Sequence, residues 1–325
     1  MLELRNIEKY YNPGTINEMC LFDKFNLTVD KGEFVSVVGS NGSGKTSMLN
    51  ILCGSIPVDG GQILMNGEDI TTKKEFKRNQ KIGRVYQNPA MGTCPTMTIL
   101  ENMSIADNKG KFFGLSSGIN KARKEYYREI LSQLGLGLEN KMDVKVGSLS
   151  GGQRQRVGIA RALAVDPEFI VCDEPVSALD VSIQAQIIHL LKDLRKELDL
   201  TYLFIGHDLS VVRSFSDRVA VMYLGKLMEV TASGDLYTNP LHPYTKALLS
   251  AVPIPDPVAD RQRERILLKG EVPSPMHPPS GCRFCTRCDH ATDRCRTEEP
   301  VLKPIGGDHW VACHLVQGKE ETVHG

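Results

Sequence analysis

The stretch Phe34-Val35-Ser36-Val37-Val38-Gly39-Ser40-Asn41-Gly42-Ser43-Gly44-Lys45-Thr46 decides the architecture. A short apolar run predicts a strand. The pattern GxxxxGK[ST] follows it directly and predicts a glycine-rich turn that opens a helix. Gly39, Gly42 and Gly44 let the backbone N–H groups of this loop converge on phosphate oxygens. The helix starting near Lys45 adds its positive dipole end. Lys45 is then placed to reach the β- and γ-phosphates of a nucleotide, and the Thr46 hydroxyl to coordinate Mg2+. A phosphate-binding loop between a buried strand and a helix is expected, and with it an α/β fold.

The other half of such a site needs a carboxylate at the end of a second buried strand. Phe169-Ile-Val-Cys-Asp173-Glu174 supplies it. Asp173 is expected to serve the metal, and Glu174 beside it to polarise the water that attacks the terminal phosphate. Further short β-branched runs, such as Thr201 to Ile205, alternate with helix-period stretches, as an α/β sheet requires. Between residues 181 and 198, Ile183, Ile187, Leu190, Leu191, Leu194 and Leu198 recur at three- and four-residue spacing, which predicts an amphipathic helix on the sheet. Residues 110–140 are polar, with a helical portion at 121–134, and read as a helical insertion.

Composition narrows the function. The 325 residues carry 39 Lys and Arg against 39 Asp and Glu, so the basic excess that drives sequence-independent nucleic-acid binding is missing. No apolar run approaches the ~20 residues that cross a bilayer, and MLELRNIEKYY is too charged for a signal peptide. A cytoplasmic chain is expected, with any membrane spanning left to other subunits. Eleven of the 17 prolines lie at or after Pro240, which predicts a boundary there: a domain over 1–240, then a Pro-rich, Cys-rich extension over 241–325. The charged run 260–269 and PSPMHPPSG (273–281) read as linker and turn.

Leu149-Ser150-Gly151-Gly152-Gln153 precedes the second strand, and here the chain resembles the ABC ATPase family. Gln87, Ser177-Ala-Leu-Asp180 and His207 stand in family order as Q-loop, D-loop and switch histidine. The resemblance implies a RecA-like P-loop NTPase core with an antiparallel β subdomain and a helical subdomain at about 88–147. It also implies ATP and Mg2+ as ligands, with Thr46 and Asp173 on the metal. Two nucleotides would be sandwiched between two ATPase subunits, identical or paralogous. Ser150, Gly151, Gly152 and Gln153 would face the γ-phosphate held by the partner, since a helix N-terminus suits an anion. Gln87 would sense the attacking water, His207 would contact the γ-phosphate, and Asp180 would couple the two sites. Tyr11, 34 residues before Lys45, is expected against adenine, with Tyr10 as its rival.

From Gln153 onward, GQRQRVGIARAL, FIVCDEPVSALDVSIQAQII, GHDLSVVR and NPLHPYTKALLSAVP resemble the ATPases of oligopeptide and dipeptide importers. YNPGTINEMCLFDKFNL and YQNPAMGTCPTMTILENM look more like amino-acid-type or tryptophan-type uptake ATPases. Either a hybrid joined near LSGGQRQ or one divergent lineage accounts for this. A hybrid would keep its ATP chemistry but couple poorly to peptide permeases, because the surface for the permease lies near 87–145. The implied role is the ATPase of an importer at the cytoplasmic face of the membrane. Its partners would be integral membrane permease subunits and, indirectly, a substrate-binding protein. The alternatives are an amino-acid importer ATPase, a soluble non-transport ABC protein, and a redox-sensing module.

Five of the nine cysteines lie between Cys282 and Cys313, and in a reducing compartment they are expected as thiols or metal ligands. Thiolates at such spacing can converge on one inorganic centre. In the peptide-importer ATPases a similar pattern binds a 4Fe-4S cluster, which implies Cys282, Cys288, Cys295 and Cys313 as ligands. Cys285 stands where many relatives carry histidine. The resulting Cys-x2-Cys-x2-Cys also resembles a zinc knuckle, so Zn2+, or no metal, stays open.

Overall fold

A computed structural model describes residues 1–110, 118–119, 121–253 and 265–320. The charged run 260–269 lies outside the described residues as far as residue 264, as does most of 111–120 in the insertion. Among the described residues, no helix is long and apolar enough to cross a membrane.

The strands are β1 (Leu2–Tyr11), β2 (Met19–Val29), β3 (Phe34–Val38), β4 (Gly60–Met65), β5 (Glu68–Asp69), β6 (Ile82–Val85), β7 (Phe169–Asp173), β8 (Thr201–Ile205), β9 (Arg218–Tyr223), β10 (Lys226–Ala232), β11 (Lys303–Gly306) and β12 (His309–Val311). They form two sheets. The smaller is antiparallel in the order β2-β1-β4-β5, and the larger runs β11-β12-β10-β9-β3-β8-β7-β6. At the centre of the larger sheet β3, β7 and β8 pair in parallel. All their residues are buried, so they read as unbroken apolar runs rather than alternating ones.

Alternation nevertheless sorts their side chains between two cores. Phe34 and Val38 face the helical side, together with Ile170 and Cys172. Val35 and Val37, with Phe169 and Val171, face the smaller sheet. The helical side carries Lys124–Leu134, inside the predicted insertion, and the helices Gly151–Leu163 and Val181–Leu198. In the last of these Ile187, Leu191 and Leu194 are buried as the spacing requires, and Ile188 joins them. Leu198 instead ends the helix 43% exposed, because the chain turns at Asp199, a left-handed C-cap.

The segment after residue 240 is built into the main sheet rather than hung from it. Strand β12 pairs antiparallel with β10, and β11 with β12. One buried carboxylate holds this junction. Glu229 on β10 accepts from His309 Nε2 on β12 at 2.7 Å, and from the amides of Leu241 and His242 at 2.8 and 3.0 Å. His242 then caps the helix Pro243–Ser250, its Nδ1 accepting from the Tyr244 amide at 3.0 Å.

Burial pushes the His242 imidazole down to about 4, only partly offset by Glu229. The folded chain therefore keeps this ring neutral, whereas the unfolded chain protonates it below about pH 6.5. Protons then favour unfolding: the contribution is fully present above about 6.5 and is lost as the pH falls towards 4, up to about 3 kcal/mol. His242→Asn, which keeps a cap acceptor, should flatten the fall of Tm across that window. An unchanged Tm slope would assign the acid sensitivity to other groups.

Candidate functional site

The loop after β3 curls under a steric constraint. Gly39 has φ +153°, and a Cβ there would sit 2.0 Å from the Met222 carbonyl oxygen on β9. Gly44 has φ +103°, with Leu21, Phe22 and Met222 packed at 3.2–3.3 Å from where its Cβ would be. The β9–β10 turn thus presses on the loop from outside, and the Gly225 amide donates to the Ser43 carbonyl at 2.8 Å. Only glycine meets both demands.

Lys45 opens the helix Lys45–Cys53 and is buried. Its ammonium donates to the carbonyls of Gly39 (2.8 Å) and Ser40 (3.0 Å), and to Ser43 Oγ (3.4 Å). Burial lowers its pKa, opposed by Glu174 and Asp173. Thr46 Oγ1 donates to Asp173 Oδ1 at 3.2 Å, so the two residues predicted for a metal lie side by side. Burial raises the pKa of Asp173, while Arg84 at 3.7 Å works against that shift. Arg84, on β6, was not anticipated from the sequence. The signal was a charged residue inside a strand whose other members are all buried.

Glu174 follows β7 with φ +47°, a left-handed conformation that costs a non-glycine residue ~1–3 kcal/mol. The bend turns its carboxylate towards the loop. His207 Nε2 lies 2.5 Å from its Oε1, and Gln87 Nε2 donates to its Oε2 at 3.1 Å and to Ser177 Oγ at 3.2 Å. Two residues 120 positions apart therefore converge on one carboxylate.

A cavity of about 560 Å³ runs from the loop to Glu174. It is lined by residues 41–47, Glu174, Tyr11, Met19, Leu21 and Pro275. Of the two tyrosines weighed for adenine, Tyr11 lines it. Pro275, from the C-terminal segment, is a lining residue that the sequence reading missed. Gly39, Ser40, Gln87, Asp173 and His207 do not line it but meet its lining residues Lys45, Thr46 and Glu174, whereas Ser150, Gly151, Gly152, Gln153 and Asp180 neither line it nor bond to those residues. Ser150 caps the helix Gly151–Leu163, with a reciprocal bond pair to Gln153, and Asp180 stands at the N-cap position of Val181–Leu198 without a side-chain cap bond. One chain thus sets the glycine-rich loop beside the Glu174 carboxylate, and presents a second helix N-terminus elsewhere.

Cys282, Cys285, Cys288, Cys295 and Cys313 line one small cavity of about 20 Å³ with His290 and His314. All but Cys288 are buried. Burial pushes the Cys282 thiol up to about 12, with neighbouring thiols adding to the shift. Among the described residues no group of three or more His, Cys, Asp or Glu is gathered tightly enough to hold a metal ion.

With this geometry in place, the similarities to known proteins are specific. Residues 22–177 match the ABC transporter family, and residues 228–295 match the oligopeptide/dipeptide transporter C-terminal region. The chain is 43% identical to the oligopeptide transport ATP-binding protein AppF of Bacillus subtilis, over 97% of each chain. It is 44% identical to the oligopeptide transport ATP-binding protein OppF of Haemophilus influenzae, over 87% of this chain and 84% of that one. The solved dimer of the ATP-binding cassette MJ0796, bound to ADP and Pi, superposes with a TM-score of 0.62 at 33% identity, covering 72% of this chain and 99% of that one. The chain belongs to the ABC transporter ATP-binding family and carries that family's oligopeptide/dipeptide C-terminal region.

Gly39→Ala should therefore destabilise the fold by about 2 kcal/mol or more, since neither the φ nor the Met222 carbonyl can yield cheaply. Denaturant unfolding of the purified chain checks this. A loss below about 0.5 kcal/mol would mean that the loop adjusts freely.

Proposed function

We propose that this ABC ATPase energises an importer of oligopeptides or dipeptides from the cytoplasmic face of the membrane, beneath separate permease subunits and, indirectly, a substrate-binding protein. The observation that carries the reading is near full-length identity of 43% to AppF, which includes the C-terminal region. That match spans both halves of the chain, which supports a single divergent lineage over a hybrid.

The convergence of Gln87 and His207 on Glu174 supports ATP hydrolysis there. Lys45 exchanges its loop carbonyls for β- and γ-phosphate oxygens when ATP enters. Glu174 polarises the attacking water, Gln87 orients it, and His207 holds the γ-phosphate side. Tyr11 offers its ring to adenine. Thr46 and Asp173 fit Mg2+, which when bound neutralises phosphate charge. The signature residues Ser150, Gly151, Gly152 and Gln153 lie outside this chain's own cavity, which supports a second ATPase subunit, identical or paralogous, completing each site. Asp180, at the start of the neighbouring helix, is the candidate link between the two sites.

The soft donor set at the second cavity fits an iron–sulfur centre held by Cys282, Cys288, Cys295 and Cys313, with Cys285 as an additional thiol. The same thiols are also the donor type that Zn2+ takes. A bound cluster would staple the segment to the sheet and supply one-electron chemistry.

Glu174→Gln keeps the shape of the side chain but removes its charge. Phosphate release should fall about 100-fold or more while ATP is still bound. Near-normal turnover would remove Glu174 from its role. Protein purified without oxygen should show broad visible absorption that dithionite bleaches, with iron and sulfide in stoichiometric amounts. Cys282→Ser or Cys313→Ser should abolish it, and Cys285→Ser should not. Zinc alone on metal analysis would reverse the ranking. Cargo is tested by complementation of a strain lacking its peptide-importer ATPase: restored growth on peptides is expected, and rescue only of amino-acid uptake would overturn the peptide reading.

A further inference from the structure

Ser40, the second residue of the phosphate loop, has both sides of its backbone engaged. Its carbonyl accepts from Lys45 Nζ at 3.0 Å, and its amide donates to the Tyr244 hydroxyl at 2.8 Å. Tyr244 stands 204 positions away, on the helix Pro243–Ser250, and is 1% exposed. Two rings hold its own ring: Tyr223 on β9 at 4.8 Å and Phe284 at 5.2 Å between centroids. Phe284 also meets Tyr223 edge-on at 5.4 Å. In sequence it lies between Cys282 and Cys285, and it lines the cysteine cavity with them. The helix bearing Tyr244 is fixed at its start by His242 and, through Glu229, by His309.

We propose that Tyr244 is a positioning residue of the nucleotide site. Its hydroxyl holds the Gly39–Ser40 peptide in the orientation that binds phosphate, and its ring ties that peptide to the cysteine-lined segment through Phe284. Gly39 has no side chain to resist rotation of this peptide. Ser40 is held on both sides: its carbonyl accepts from Lys45 Nζ and from the Ser43 amide at 3.2 Å, and its amide donates to the Tyr244 hydroxyl. Lys45 also holds the Gly39 carbonyl at 2.8 Å, so when it leaves for the phosphates the Tyr244 hydroxyl is the side-chain restraint that stays on the Gly39–Ser40 peptide. Burial raises the Tyr244 pKa, so the phenol remains neutral and available as an acceptor. The packing of Phe284 sets where that hydroxyl sits, so a change at the cysteine cavity reaches the loop through two side chains.

The inference rests on residues 39–46 being the nucleotide site, and the experiment separates the two. Binding of a fluorescent ATP analogue to the full chain, together with steady-state ATPase kinetics, is compared across variants. Lys45→Ala is the control for the site itself. If it binds the analogue like the parent protein, the site assignment fails before Tyr244 is at issue. Tyr244→Phe removes one oxygen and keeps the ring. Affinity should fall about three- to tenfold, the effect of one hydrogen bond, with KM for ATP rising in step and kcat within about twofold. Phe284→Leu should weaken binding about two- to fivefold, and the double variant should lose less than the product of the two, since both act through one contact. A purely packing role for Tyr244 leaves affinity within twofold in Tyr244→Phe, and that result, or fully multiplicative losses, overturns the proposal. Should Tyr244→Phe fail to fold, amide hydrogen exchange in the parent protein decides: slow exchange at Ser40 supports the bond, and exchange at the rate of an open loop overturns it.

Discussion

Backbone amides must close around a phosphate without water or side chains in the way, and most of this fold serves that constraint. The loop over residues 39–46 curls tightly because its glycines adopt conformations that side chains resist. It stays curled because the β9–β10 turn lies against it, with the Met222 carbonyl where a Gly39 Cβ would be. A loop under such pressure needs stiff anchors. It has β3, buried on both faces at the centre of the sheet, and the helix Lys45–Cys53, whose apolar side fills the core shared by the two sheets. The carboxylates come from β7, which β8 separates from β3. The distance between loop and carboxylates is thus set by sheet geometry rather than by flexible side chains.

Charge is handled by the same economy. Lys45, Asp173 and Arg84 are all largely withdrawn from water, and each is tolerable because opposite charge or a carbonyl lies close by. Glu174 is held in a strained backbone conformation, and its two oxygens are taken by His207 and Gln87. These partners come from after β8 and after β6, so the neighbouring strands of the sheet gather at their ends the groups that a phosphate and a water would meet. Ligands in open α/β sheets bind at such strand ends for this reason.

The C-terminal segment shows how a stretch poor in regular structure gains a fixed place. Among its described residues it offers two short strands and a few helices of at most eight residues, too little for a core of its own. It borrows the sheet edge at β10, buries Glu229 with His309 and the amides at 241–242, and lays Phe284 between Tyr223 and Tyr244. Cys282, Cys285, Cys288 and Cys295 then lie against the main core rather than in a detached knob, and Pro275 from the same segment reaches the cavity beside residues 41–47.

The sequence by itself determined what depends on neighbouring residues and on spacing. The glycine pattern of 39–46, the apolar runs of β3 and β7 with Asp173 and Glu174 at the end of the second, and the stripe at Ile187, Leu191 and Leu194 were legible because local backbone preference and periodicity carry them, whereas Gln87, Ser150 and His207 were legible only through the resemblance of the motifs around them to a known family. Only the tertiary structure decided the rest. That Arg84 faces Asp173, that Tyr11 rather than Tyr10 lines the cavity, that Ile188 is buried while Leu198 is not, and that five cysteines share one cavity depend on how strands and helices stack over separations of many tens of residues. Such contacts leave no periodic trace, since either partner alone is an ordinary arginine, tyrosine or cysteine. The bond from Ser40 to Tyr244 is the extreme case: a loop read from eight residues is held by a hydroxyl 204 positions further along the chain.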